Sequence, residues 1–137
     1  MSKMSKIVEF GLRHNPKEFV DNKEKADNFM EKRSLVEDEI YKLPKLKYRT
    51  DVENKIMFGC QMVIFNENED SQHIVIYLHG GAYVSEITIP HISFCDKIAE
   101  KTNSTVFAPL YPLAPNHTFE ETYEIVEKLF EHVLTMK

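Results

Sequence analysis

The stretch HIVIYLHGGAYVS, residues 73–85, decides how this chain is read. Its opening run, His73 to Leu78, is apolar on both faces of a strand, as a strand covered on two sides requires. The run ends in His79 and the adjacent pair Gly80-Gly81, in a chain with only four glycines. Glycines directly after a buried strand let the backbone turn where a Cβ would obstruct it, and such a turn presents main-chain N–H groups to a ligand. The plain structural alternative is a tight turn whose glycines only let the next loop pack.

Downstream of the turn, Pro90 suits the first turn of a helix whose inward face is Ile92, Cys95, Ile98 and Ala99. Thr105 to Pro109 reads as the next strand. Strand, helix and strand in this order make a βαβ unit, which is right-handed as a rule. Thr118 and Glu121 then form a capping box ahead of Phe119, Tyr123, Val126, Phe130 and Val133, the apolar positions of a final amphipathic helix.

Upstream, Leu46, Tyr48, Thr50 and Val52 alternate with charged residues and predict a strand with one wet face. Glu53-Asn54-Lys55 reads as a polar turn, and Met57 to Phe65 as a second, more apolar strand. The first forty residues read as helices. One carries Met4, Ile7, Val8 and Leu12 and breaks at Asn15-Pro16, with Glu18 in a capping box. The next carries Phe19, Ala26, Phe29 and Met30, with an interruption near Asp21 and Asn22. Ser34 to Glu37 is a further capping box, opening a short helix with Leu35, Ile40 and Leu43 that Pro44 stops. The expected organisation is a helical segment over 1–44, then an α/β core over 45–137 with four strands and two helices.

With 137 residues, 42% hydrophobic and 28% charged, the chain is expected to form one soluble core. A formal charge of −5 with interleaved signs offers no footprint for a nucleic-acid backbone. No stretch approaches the about 20 apolar residues that span a bilayer, and the N-terminus lacks the pattern of a signal peptide, so the expected location is the cytoplasm. Cys60 and Cys95 are expected to be buried thiols rather than a disulfide framework. In that compartment the sequons at Asn103 and Asn116 are chance matches. His14, His73, His79, His91, His117 and His132 show no metal-ligand spacing; the one near match, His91 and Cys95, reads as a surface and a core neighbour, so no metal is expected.

A carbonyl under nucleophilic attack develops an oxyanion, and fixed backbone N–H donors are often the largest catalytic term for it. His79-Gly80-Gly81-Ala82 has the chemistry of such a cradle. A second stretch, PLYPLAPNHTF from Pro109 to Phe119, holds three prolines and a tyrosine and reads as a rigid segment before the last helix. HGGAY followed by this YPLAPNH run resembles the hormone-sensitive-lipase-like family of α/β hydrolases, bacterial carboxylesterases with an HGGG or HGGA motif and a later YRLAPE-like run. The resemblance implies the N-terminal portion of an α/β-hydrolase fold: cap helices, then a mainly parallel sheet with flanking helices, here incomplete. It further implies oxyanion donors at Gly80, Gly81 and Ala82, support from His79, a Tyr83 lining the acyl pocket, and ester hydrolysis without a cofactor.

The sequence departs from the family at Pro112, where arginine is usual, and at Asn116, where glutamate is usual, which puts any polar network there in doubt. Ala82 replaces a third glycine, a mild change where the donor is a main-chain N–H. The family's nucleophile stands in a G-x-S-x-G elbow, yet no glycine follows Gly81, and Ser85, Ser93 and Ser104 lack the required flanks. The expectation is therefore the N-terminal part of a serine carboxylesterase or lipase, inactive by itself. The alternative is a catalytically inactive α/β-hydrolase-like binding or interaction module. The strand order that the resemblance implies puts strand four between strands two and three. It leaves His73–Leu78 with an open edge, through which self-association is expected.

Overall fold

The computed structural model describes residues 22–36 and 40–136, which fall into two compact units divided after Val36. The helix expected over Met4–Leu12 and the break at Asn15-Pro16 lie outside the described residues. In the first unit, helix α1 (Lys23–Ser34) starts where the pattern is interrupted, because the Asn22 side chain accepts a hydrogen bond from the Lys25 N–H and caps it. Ser34 is not the start of a new helix. It ends α1, its hydroxyl donating back to the Glu31 carbonyl at 2.7 Å, and residues 40–44 are not helical.

The second unit holds strands β1 (Val52–Met57), β2 (Cys60–Phe65) and β3 (His73–Ile76), helix α2 (Ile89–Thr102), strand β4 (Ser104–Leu110) and helix α3 (Phe119–Thr135). They form one four-stranded sheet in the order β1-β2-β4-β3, so β4 lies between β2 and β3 as expected. The sheet is mixed rather than mainly parallel: β1 with β2 and β2 with β4 are antiparallel, and β3 with β4 is parallel. The first antiparallel pair follows from its connection, a two-residue turn at Phe58-Gly59 that leaves Met57 opposite Cys60.

That turn corrects the predicted strand boundaries. Phe58 and Gly59 both have positive φ, 53° and 81°, as a tight hairpin requires, and Glu53-Asn54-Lys55 lie within β1. The expected strand over 46–52 is irregular chain up to Asp51, held by side chains in place of a ladder. The Gln61 side chain accepts from the Tyr41 N–H at 2.7 Å and donates to its carbonyl at 3.1 Å. The buried Asp96 carboxylate accepts from the N–H groups of Arg49 and Thr50, from the Thr50 hydroxyl at 2.9 Å and from the Arg49 guanidinium at 3.3 Å. Backbone groups satisfied in this way need no strand partner.

Each face of the sheet has its own core. Val63, Phe65, Val106 and Ala108 pack with Ile92, Cys95 and Ala99 of α2, whereas Met62, Ile64 and Phe107 pack with Ile125 and Leu129 of α3. The alternation along β2 therefore serves two helices, one on each side. Of the stripe expected to face inward on α3, Val133 packs on the core and Val126 is half-buried, but the aromatic positions do not turn inward. Phe119, Tyr123 and Phe130 are 59%, 70% and 55% exposed, while Ile125 and Leu129 are buried. The helix carries two adjoining apolar stripes, and contact with Phe107 and Ile64 selects the aliphatic one. Cys60 and Cys95 are buried free thiols; burial pushes them up to about 11 and about 12, so neither is a reactive thiolate at neutral pH. No helix among the described residues is long and apolar enough to cross a membrane.

Candidate active site

The loop after β3 leaves the sheet beside the end of β4, where open α/β sheets bind their ligands. Gly81 has φ of +140°, and Ala82 and Tyr83 follow at 54° and 64°. Three successive positive φ values curl the chain into a compact turn. The region is easy for glycine only; Ala82 is held there against a cost of about 1–2 kcal/mol. Gly81 admits no side chain, since a Cβ would stand 2.7 Å from the Ser85 carbonyl oxygen.

The hydrogen bonds of this turn share one property. The His79 carbonyl accepts from the Tyr111 hydroxyl, the Gly80 carbonyl faces His79 Nδ1 at 2.9 Å, and the Gly81 carbonyl accepts from the N–H groups of Val84 at 3.1 Å and Ser85 at 3.0 Å. A carbonyl oxygen can only accept, so His79 Nδ1 carries the proton. A trans peptide is planar, with its C=O and N–H pointing in opposite directions. Tying these three carbonyls therefore aims the N–H groups of Gly80, Gly81 and Ala82 the other way, and among the described residues those N–H groups have no acceptor. Gly80 and Ala82 are exposed and Gly81 is half-buried, so the donors are within reach of a ligand.

His79 is buried, its ring stacked on Tyr111 at 4.4 Å and 6.0 Å from that of His91. Burial, with His91 adding to it, holds His79 below its ordinary value of 6.5, so the imidazole is neutral at pH 7. The neutral ring holds the loop through its contact with the Gly80 carbonyl and its stack on Tyr111. Tyr83 is braced from the other side: its hydroxyl donates to the Thr118 carbonyl at 2.9 Å, meets the Thr122 hydroxyl at 2.5 Å, and its own carbonyl accepts from the Ala114 N–H. The segment with Pro112 and Asn116 in place of the family's arginine and glutamate thus still grips the turn, through Tyr111, Ala114 and Thr118. Sequence reasoning noted Tyr111 only as part of a rigid run. A lone tyrosine carries no signal of which carbonyl it will meet.

Among the described residues no group of three or more histidine, cysteine or acidic side chains could hold a metal ion. What the turn can do is bind an electron-rich oxygen with oriented main-chain donors.

Comparison with known proteins now adds to this geometry. The family model for the α/β hydrolase fold matches residues 75–137, from within β3 through the glycine turn to the end of the chain. The fold is that of an α/β hydrolase.

A presumed esterase from Staphylococcus aureus has a similar structure, with TM-score 0.79 and 22% identity over 94% of this chain and 44% of its own. A hormone-sensitive-lipase homologue from a metagenome library, EstE7, matches with TM-score 0.58 and 15% identity over 96% and 42%. A hyperthermophilic esterase from the archaeon Pyrobaculum calidifontis matches with TM-score 0.55 and 18% identity over 94% and 43%. At these identities the likeness is one of α/β-hydrolase fold, and the chain spans less than half the length of each. Comparison with curated proteins finds no match. The resemblance drawn from HGGAY and YPLAPNH is met by both the family match and the EstE7 fold.

Proposed function

We propose that this chain supplies the oxyanion-stabilising part of a serine carboxylesterase, with Gly80, Gly81 and Ala82 as donors, His79 as their brace and Tyr83 at the acyl side. The observation that carries the reading is the set of three consecutive peptide groups whose carbonyls are tied and whose N–H groups meet no acceptor among the described residues, on an α/β-hydrolase sheet. Such donors are worth most where a tetrahedral oxyanion forms, and they cost no reorganisation at that moment. The reaction is acyl transfer from a carboxylic ester to serine and then to water, which calls for no cofactor. No Gly-x-Ser-x-Gly run occurs in these 137 residues, so the reading assigns them the oxyanion donors and not the nucleophile.

The test is hydrolysis of p-nitrophenyl butyrate. The 137-residue chain is expected to stay at background, and a protein extended to the length of the similar esterases is expected to turn the ester over without added metal. An extended protein that folds, binds the ester and leaves it intact would favour the inactive binding module instead.

Self-association follows from the same architecture. Among the described strands β3 pairs only with β4, and Leu78, two residues past its end, is 50% exposed. An open apolar edge pairs readily with another strand. Light scattering on the isolated chain is expected to give a mass above the monomer that rises with concentration; a monomer mass throughout would remove this part of the reading.

A further inference from the structure

Tyr111 stands 32 residues from His79 in sequence, yet its hydroxyl ties the first carbonyl of the turn. Its ring is buried between two others, 4.4 Å from His79 at an interplanar angle of 10° and 5.7 Å from Tyr83 at 13°. Both flanking residues belong to the turn, so one side chain from the end of β4 meets the residue before the glycine pair and the residue after Ala82. The hydroxyl then acts on a single peptide group. His79 C=O and Gly80 N–H share one plane, and holding the oxygen fixes the direction of the hydrogen.

We propose that Tyr111 is a positioning residue for the Gly80 N–H donor. It touches no substrate; it acts through the His79 carbonyl, and the catalytic consequence rests on the esterase reading above. Burial, then the neighbouring Tyr83 and Tyr77, raise the Tyr111 hydroxyl above its ordinary value, so it remains a donor through the neutral range. The other two peptide groups of the turn have local ties, His79 Nδ1 on Gly80 and the Val84 and Ser85 N–H groups on Gly81. Gly80 N–H alone depends on a distant side chain. Gly80 has open space where a Cβ would stand, so no side chain of its own holds that peptide.

Tyr111→Phe keeps the stacked ring and removes only the donor. In the 137-residue chain, ¹⁵N relaxation is expected to give an order parameter near 0.85 for Gly80 in the parent and a fall toward about 0.6 in the variant, with β2 and β4 amides unchanged. An unmoved Gly80 amide, or a loss of order spread evenly over the sheet, would overturn the proposal. Should Tyr111→Phe fail to fold, the parent's own Tyr111 hydroxyl proton tests the tie: slow exchange of that proton with solvent supports it, and free exchange would overturn it. In the esterase-length protein Tyr111→Phe is expected to lower kcat by about 10²-fold at unchanged KM. A parent protein without ester hydrolysis would count against the esterase reading and leave the relaxation result to stand; a fully active Tyr111→Phe would count against the positioning role alone.

Discussion

Gly81→Ala in a protein that carries the serine elbow is expected to lower kcat for p-nitrophenyl butyrate by about 10²–10³-fold, the effect of losing one oxyanion donor. The substitution keeps the N–H, so the loss comes from its direction. At φ of +140° an alanine is strained whatever the space, and its Cβ would lie 2.7 Å from the Ser85 carbonyl and 3.0 Å from the Ser85 Cβ. Neither atom can yield without moving the turn, because the Cβ is fixed to the Ser85 backbone and the Ser85 N–H is bonded to the Gly81 carbonyl. The neighbouring position separates strain from folding. Gly80 does not have positive φ and has nothing within 4 Å of an added Cβ, so Gly80→Ala is expected to leave thermal stability nearly unchanged. Steady-state kinetics of Gly81→Ala with circular dichroism of both variants checks the pair. A folded Gly81→Ala protein with parental kcat would remove Gly81 from the cradle.

Asp96→Ala is expected to cost about 3 kcal/mol of stability, or about 15 °C in Tm for a unit of this size. Asp96 is 2% exposed and lies among Ile92, Cys95 and Ala99 on the buried side of α2. It is acceptable there because both carboxylate oxygens are satisfied by the backbone of Arg49 and Thr50, the Thr50 hydroxyl and the Arg49 guanidinium. Alanine leaves those two N–H groups without their acceptor and releases residues 46–51 from the helix. The Arg49 guanidinium is half exposed and rehydrates, so most of the loss comes from the main-chain donors. Differential scanning calorimetry on the 137-residue chain measures it; a Tm shift under a few degrees would mean the segment is held chiefly by the packing of Tyr41, Leu43 and Tyr48.

These two residues mark where reading the sequence succeeds and where it stops. Gly81 was legible, because a glycine pair after an apolar run has a local cause: backbone torsion and steric exclusion act within four residues. Thr118 with Glu121 was legible for the same reason, a capping box being closed by its own turn, and α3 begins where it predicts. The α2 face of Ile92, Cys95 and Ala99 likewise follows from helical periodicity.

Contacts between distant residues were not legible. Asp96 looks like a solvent-facing carboxylate until Arg49 and Thr50, nearly fifty residues earlier, are brought against it. The alternation at Leu46 to Val52 resembles a strand, yet Asp96 and Gln61 supply the hydrogen bonds that a neighbouring strand would otherwise provide. In α3 the periodicity admits two apolar stripes, and only the sheet determines that Ile125 and Leu129 turn inward while Phe119 and Phe130 remain outside. The amino-acid sequence by itself determined the glycine turn, the starts of α2 and α3 and the order β3, α2, β4, α3, since each arises from interactions within a few residues. The tertiary structure alone decided the Phe58-Gly59 hairpin register, the buried stripe of α3 and the tie from Tyr111 to His79, because each depends on which surfaces meet after the chain has folded.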